Sequence, residues 1–178
     1  MVTKRMNLED LEKMDSKKMF KVYDIWPDIA KKSYEQEFSK PEFDDIDHIV
    51  FSGMGGSGTI GDVFSSILSK NDIHTSVVKG YLLPKTVDSN TLVVATSISG
   101  NTNETLTVLE ESLKTDARIV AMSSGGIMEE IASKNNTISY FKIAQTHSPR
   151  ASLFGFLYST LNILQEFIPI EKSSVLES

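Results

Sequence analysis

The sequence predicts an α/β domain: a five-stranded parallel sheet wound on both faces, with helices leading into it. Three observations carry this prediction. Five short β-branched or apolar runs, at 48–52, 74–78, 91–96, 118–122 and 137–141, alternate with stretches of helical periodicity. The run at 91–96 is nearly all apolar or β-branched, as expected of a strand covered on both faces. The crossovers between runs are short, which specifies parallel pairing with the intervening segments laid on the two faces.

Taken in order, the first 40 residues are charged and helical. Asn7 and Asp10 make a loose capping pattern around Leu8, Leu11 and Met14. Trp26-Pro27 opens a second helix, because proline early in a helix forfeits no hydrogen bond. Trp26, Ile29, Ala30, Ser33, Tyr34 and Phe38 recur at helical spacing, so this helix is expected to pack on a neighbouring surface. The first strand runs into glycines, after which Ile60, Val63, Phe64, Ile67 and Leu68 form one helical face. Leu106, Leu109 and Leu113 mark the helix after the third strand, and 127–132 a short helix after the fourth. The last helix is expected from about Pro149, carrying Phe154, Leu157, Tyr158, Leu161, Leu164 and Phe167 to a stop at Pro169. The chain thus divides into a helical segment at 1–40, the α/β domain at 41–169 and a linker or tail at 170–178.

Composition excludes several classes of function. Eighteen Lys and Arg stand against 24 Asp and Glu, a net charge of −6, and 49–69 and 86–113 contain no basic residue. Nucleic acid and anionic membrane are therefore not expected partners. No apolar run approaches the ~18 residues of a membrane span, and 1–5 leads into polar sequence. Cysteine is absent, which excludes disulfides, thiolate metal sites and thiol catalysis. Together these point to the cytoplasm.

Two loops stand out. Residues 53–58, Gly-Met-Gly-Gly-Ser-Gly, follow the first strand. Gly53, Gly55 and Gly58 satisfy the G-x-G-x-x-G spacing, but the acidic residue expected about twenty positions on is missing; the second strand ends in Val78-Lys79-Gly80. No Lys follows Gly58, and Thr59 stands where a nucleophile elbow needs glycine, so Walker A and hydrolase readings also fail. What survives is a helix start whose N–H groups, with the Ser57 hydroxyl, suit an anion. Residues 97–102, Ser-Ile-Ser-Gly-Asn-Thr, follow the third strand. Alternation would set Ser97 and Ser99 on one side, with Thr102 entering the next helix. Three hydroxyls and free N–H groups at a helix start make a neutral donor cup for a phosphate monoester. Asn101 as N-cap with Glu104 at the third helical position would make a capping box, which accounts for Glu104 but not for the serines.

These loops, with the later Ser148-Pro149-Arg150-Ala151, resemble the sugar isomerase (SIS) domain, and within it the bifunctional phosphoglucose/phosphomannose isomerases, over about 49–168. The resemblance implies a flavodoxin-like SIS fold. It implies that Gly56, Ser57, Ser97, Ser99 and Thr102 hold a sugar phosphate and that Arg150 stabilises an enediolate, a role suited to a permanent cation. That family uses two SIS domains to interconvert glucose 6-phosphate or mannose 6-phosphate with fructose 6-phosphate, without a metal or redox cofactor. Its catalytic Glu, ring-opening His and a late Lys lie in the second domain, so this chain alone is expected to bind a phosphorylated hexose without isomerising it. The alternative is a stand-alone phosphosugar-sensing module. A homodimer, or pairing with a second SIS domain, is expected to cover the apolar last helix. His48 and His74 flank strands and are read as structural or solvated. His147 lies near Arg150 with no role implied.

Overall fold

The computed structural model describes residues 7–168 and 170–176, so the helix stop read at Pro169 lies outside the described residues. Three helices lead the chain: α1 (Leu8–Met14), α2 (Phe20–Asp24) and α3 (Trp26–Tyr34). The Asn7–Asp10 capping box forms, each side chain accepting the other's backbone N–H at 2.8 and 3.4 Å. α2 is too short for periodicity to reveal it. Phe38 lies beyond α3 but still reaches the core, edge-on to Phe141 with 5.2 Å between ring centroids.

The alternating part comprises β1 (His48–Ser52), α4 (Gly56–Leu68), β2 (His74–Val78), β3 (Thr91–Thr96), α5 (Asn103–Ser112), β4 (Arg118–Ser123), α6 (Gly126–Ser133), β5 (Ile138–Lys142) and α7 (Leu153–Ile163). A 3-10 turn at Gln165–Phe167 and a short helix α8 (Lys172–Leu176) follow, the latter inside the segment read as a linker or tail. Every strand lies within one residue of its predicted bounds. Two connections differ from expectation. Residues 79–90, between β2 and β3, carry no helix. α7 begins at Leu153, not Pro149, because 146–152 close a turn of their own. There the Thr146 N–H donates to Ser152 Oγ at 2.8 Å, and the Ser152 hydroxyl faces the Ser148 and Thr146 carbonyls at 2.8 and 3.1 Å.

All five strands are parallel, in the order β2-β1-β3-β4-β5. The order reverses between β1 and β3, and ligands of such sheets bind where the order reverses, beyond the strands' carboxyl ends. One face is covered by α4 and α7, whose Ile60, Phe64, Phe156 and Ile163 meet Ile49, Phe51, Leu92 and Val94. On the other, Leu106 and Leu109 of α5 and Met128 of α6 meet Ala95, Ile119 and Ala121. Each large apolar side chain buried here contributes roughly 1.5–3 kcal/mol, the main force holding helices to sheet. Val63, read as part of the α4 core face, is 39% exposed at its margin. α3 packs along α7, with Trp26 stacked on Phe154 at 4.3 Å. Much of the apolar surface of α7 is therefore covered within the chain. Among the described residues no helix is long and apolar enough to cross a membrane.

The turns after β3 and β4 interlock through glycines. A Cβ on Gly100 would lie 1.7 Å from the Gly125 carbonyl oxygen, and one on Gly126 would lie 2.6 Å from both Ser99 O and Asn101 Oδ1. Both glycines adopt left-handed φ, +71° and +74°. Gly80 has no neighbour within 4 Å of its would-be Cβ.

Two predictions follow from this packing. Gly100→Ala should destabilise the domain by at least about 1–3 kcal/mol, and Gly80→Ala by under about 0.5, when their urea midpoints are compared. Equal midpoints would disprove the interlock. The second concerns His48, which is buried at the start of β1 with Nε2 3.1 Å from Ser76 Oγ and its ring 4.8 Å from that of His74. Burial lowers its pKa below 6.5 and His74 lowers it further, while Asp88, Asp47 and a Thr86 backbone bond oppose. Folded, it binds fewer protons than unfolded, so its contribution is intact above about pH 6.5 and is lost as pH falls through the folded value. The parent should lose more stability than His48→Gln between about pH 7.5 and 5.5; identical losses would refute this.

Candidate functional site

The loop after β1 is shaped by close approach of the chain to itself. A Cβ on Gly53 would sit 2.8 Å from the Ser57 carbonyl carbon, and one on Gly58 would sit 2.8 Å from Gly53 O. Gly55, the N-cap of α4, has φ +53°. Three of the four glycines are thus required by the turn. Gly56 differs: its nearest would-be neighbour is Leu153 Cδ1 at 3.9 Å, so it leaves space open. The Ser57 side chain is buried, and its hydroxyl bonds to no other described residue.

That space is a cavity of about 310 Å³ lined by Met54, Gly56, Ser57, Ile98, Ser99, Thr102, Pro149, Arg150 and Leu153. It therefore gathers Gly56, Ser57, Ser99, Thr102 and Arg150, drawn from three separate stretches of chain. Ser97 does not line it. β3 ends at Thr96 and the chain turns at once, Gly100 N–H donating to Ser97 O at 2.9 Å, so strand alternation stops before Ser99. Ser97 is 1% exposed, and its hydroxyl lies 2.9 Å from Thr102 Oγ1 and accepts the Thr102 N–H at 3.4 Å. Its place is behind Thr102, fixing that side chain from below. Ser99 is exposed, its Oγ accepting only a long 3.3 Å bond from Asn101 N–H.

The capping box read at Asn101 and Glu104 does not form. Thr102 is the N-cap of α5, and no side chain caps it. Asn101 Oδ1 instead accepts the Ile127 N–H at 3.0 Å, capping the start of α6. Sequence reasoning missed this because the partner lies 26 residues away. Among the described residues, the N–H groups of Gly56, Asn103 and Glu104 have no acceptor.

The electrostatics follow from these pieces. α4 and α5 both direct their amino ends, the positive poles of their dipoles, to this crevice. The Arg150 guanidinium is exposed, with no hydrogen bond or ion pair to any described residue. It stands in the 146–152 turn ahead of α7, not at the helix start expected for it. The lining contains no carboxylate and no imidazole. His147 is not in the lining; its Nε2 meets Lys17 O at 2.9 Å. His48 and His74 sit at the amino ends of β1 and β2, away from the cavity. A hollow of about 380 Å³ near the amino end of β4 is larger, but no helix amino terminus opens onto it. The smaller cavity has the donors. Chemically it suits a multiply charged oxyanion such as a phosphate monoester.

The chain is similar to known proteins in sequence and in fold. The description of the SIS domain matches residues 42–164. The bifunctional phosphoglucose/phosphomannose isomerase of Caldicellulosiruptor bescii is 36% identical over 153 residues, 84% of this chain and 44% of that protein. D-glucosamine-6-phosphate 4-epimerase of Sulfolobus acidocaldarius is 32% identical over 149 residues, 81% of this chain and 46% of that protein. Among solved structures, the C-terminal domain of glucosamine-fructose-6-phosphate aminotransferase from Francisella tularensis superposes with a TM-score of 0.61 at 18% identity, covering 89% of this chain and 51% of that one. The last likeness is one of fold alone. The chain spans less than half the length of the curated relatives it matches. With the SIS profile covering most of the chain and the parallel 2-1-3-4-5 sheet beneath the two loops, the chain belongs to the SIS domain family.

Proposed function

We propose that this chain is the phosphosugar-binding half of an aldose–ketose isomerase interconverting glucose 6-phosphate or mannose 6-phosphate with fructose 6-phosphate. The observation that carries the proposal is the convergence of Ser57, Ser99, Thr102, two helix amino termini and Arg150 on one cavity. In this reading the phosphate sits between the loops after β1 and β3, held by hydroxyls and N–H groups. Ser97 contributes by orienting Thr102. A guanidinium is a cationic hydrogen-bond donor with no acceptor, so Arg150 would stabilise an enediolate oxyanion and would not serve as the base that moves the proton between C1 and C2. That transfer needs a positioned base, and ring opening needs an acid near the ring oxygen. The lining supplies neither.

The catalytic base and acid would come from outside residues 1–178, in keeping with curated relatives more than twice as long as the matched region. A second SIS domain, in the same chain or a second copy, is the proposed source. The N-terminal helices at 1–40 and the segment at 170–178 would flank the phosphosugar domain at 41–169. The absence of a base from the lining equally supports a second reading, a module that senses a phosphosugar without catalysis. Turnover by the full gene product separates the two.

Three outcomes are expected. Losing one donor to a charged ligand costs on the order of 1.5–3 kcal/mol, so Ser99→Ala and Thr102→Val should each weaken glucose 6-phosphate binding roughly 10- to 150-fold by calorimetry. Ser99→Ala should leave the melting temperature of the free protein unchanged, whereas Thr102→Val removes a Ser97 partner and should lower it. Gly56→Ala should keep the fold and weaken binding, because its methyl enters the cavity. Parent-like affinity in all three would refute the phosphate site. In a coupled assay of fructose 6-phosphate formation, residues 1–178 alone should show no measurable turnover beside the full gene product; robust turnover by the short chain would place a base within it.

A further inference from the structure

We propose that the N-terminal helices clamp the Arg150 turn in register with the phosphate loops, with Trp26 and His147 as positioning residues. This rests on the reading of the cavity as a phosphosugar site. The two phosphate loops rise from adjacent strands, and each is fixed by close glycine contacts. The Arg150 turn lies between β5 and α7 and shares none of that scaffolding. Its own guanidinium has no partner among the described residues, so its position depends on how the backbone on either side is held.

That backbone is tied on both sides to the first 26 residues. Behind Arg150, the Trp26 indole N–H donates to Ala151 O at 3.1 Å, while its ring stacks on Phe154 at 4.3 Å and 26°. Ahead of it, His147 Nε2 donates to Lys17 O at 2.9 Å, and the Ser148 hydroxyl lies 3.9 Å from Met19 Sδ. His147 has φ +58°, a left-handed conformation uncommon outside glycine. These ties span 125 and 130 residues of sequence. Neither Trp26 nor His147 lines the cavity. Packing of α3 on α7 would suffice to hold the helix; the two polar bonds end instead on, or issue from, the turn that carries Arg150. Their loss should leave the phosphate cup intact and displace only the arginine.

The test compares two probes on the full chain by calorimetry. Inorganic phosphate reports the cup alone. A phosphorylated aldonohydroxamate, a planar anionic mimic of an enediolate, reports the cup and Arg150 together. Trp26→Phe keeps the stack on Phe154 and removes the N–H. His147→Asn retains a residue that tolerates left-handed φ and is too short to reach Lys17. Each variant should weaken the hydroxamate about three- to tenfold, the scale of one lost hydrogen bond, and leave inorganic phosphate within about twofold. In an Arg150→Ala background, Trp26→Phe should add no further loss. Parallel weakening of both probes, no change in either, or a full additional loss without Arg150 would each overturn the positioning role. A parent that binds neither probe overturns the cavity reading and this role with it. A parent that binds both, with variants indistinguishable from it, overturns the positioning role alone.

Discussion

A helix cannot satisfy its own first N–H groups, and in this protein the strand order brings two such helix starts to one crevice. Because the sheet reverses its winding between β1 and β3, the loops that follow those strands face each other across the switch point. The rest of the site answers to this constraint. Glycines let the first loop fold back on itself and let the turns after β3 and β4 interlock. Hydroxyls at Ser57, Ser99 and Thr102 supply further donors without adding charge. Arg150, from a distant stretch of the chain, completes the lining. The crevice is electropositive by dipole and by one cation, in a chain whose net charge is −6.

How much of this was legible in sequence depended on the range of the interaction involved. The strands were legible because each is a short β-branched or apolar run, buried at every position in β1 and β3 and only partly in the edge strands β2 and β5. The loops after β1 and β3 were legible because glycine and serine at a strand-to-helix junction carry a local physical meaning. Ser97 was misplaced because alternation was carried through Ser99, past the end of β3 at Thr96, where the chain already turns. The α5 capping box was misread because Asn101 serves a different helix, a pairing that only the interlocked turns create. α2 and α8 span five residues each, too few to show a period. The ties from Lys17 and Trp26 to the Arg150 turn cross most of the chain, and no local pattern announces them.

The site divides into parts with different support. Ser57 and Thr102 are held by rigid neighbours, one by the packed glycine turn and the other by the buried Ser97. Ser99 projects from the exposed tip of its turn, and Arg150 from a turn anchored at its flanks. The lining thus combines two firmly held hydroxyls with two groups carried on more exposed turns. On the proposed function, that division would suit a ligand with one constant and one variable part.

The interlock of the turns after β3 and β4 also bears on how this domain can diversify over evolutionary time. A side chain on Gly100 or Gly126 would collide with backbone of the opposite turn, so neither loop can change its outline without the other changing in step. Single substitutions there meet a barrier of strain before any benefit in recognition can be selected. The turn that carries Arg150 contains no glycine and leaves His147, Pro149 and Arg150 exposed. On the proposed function, new sugar preferences should therefore accumulate at those exposed positions, while the loops that would hold the phosphate pass from one descendant to the next almost unaltered.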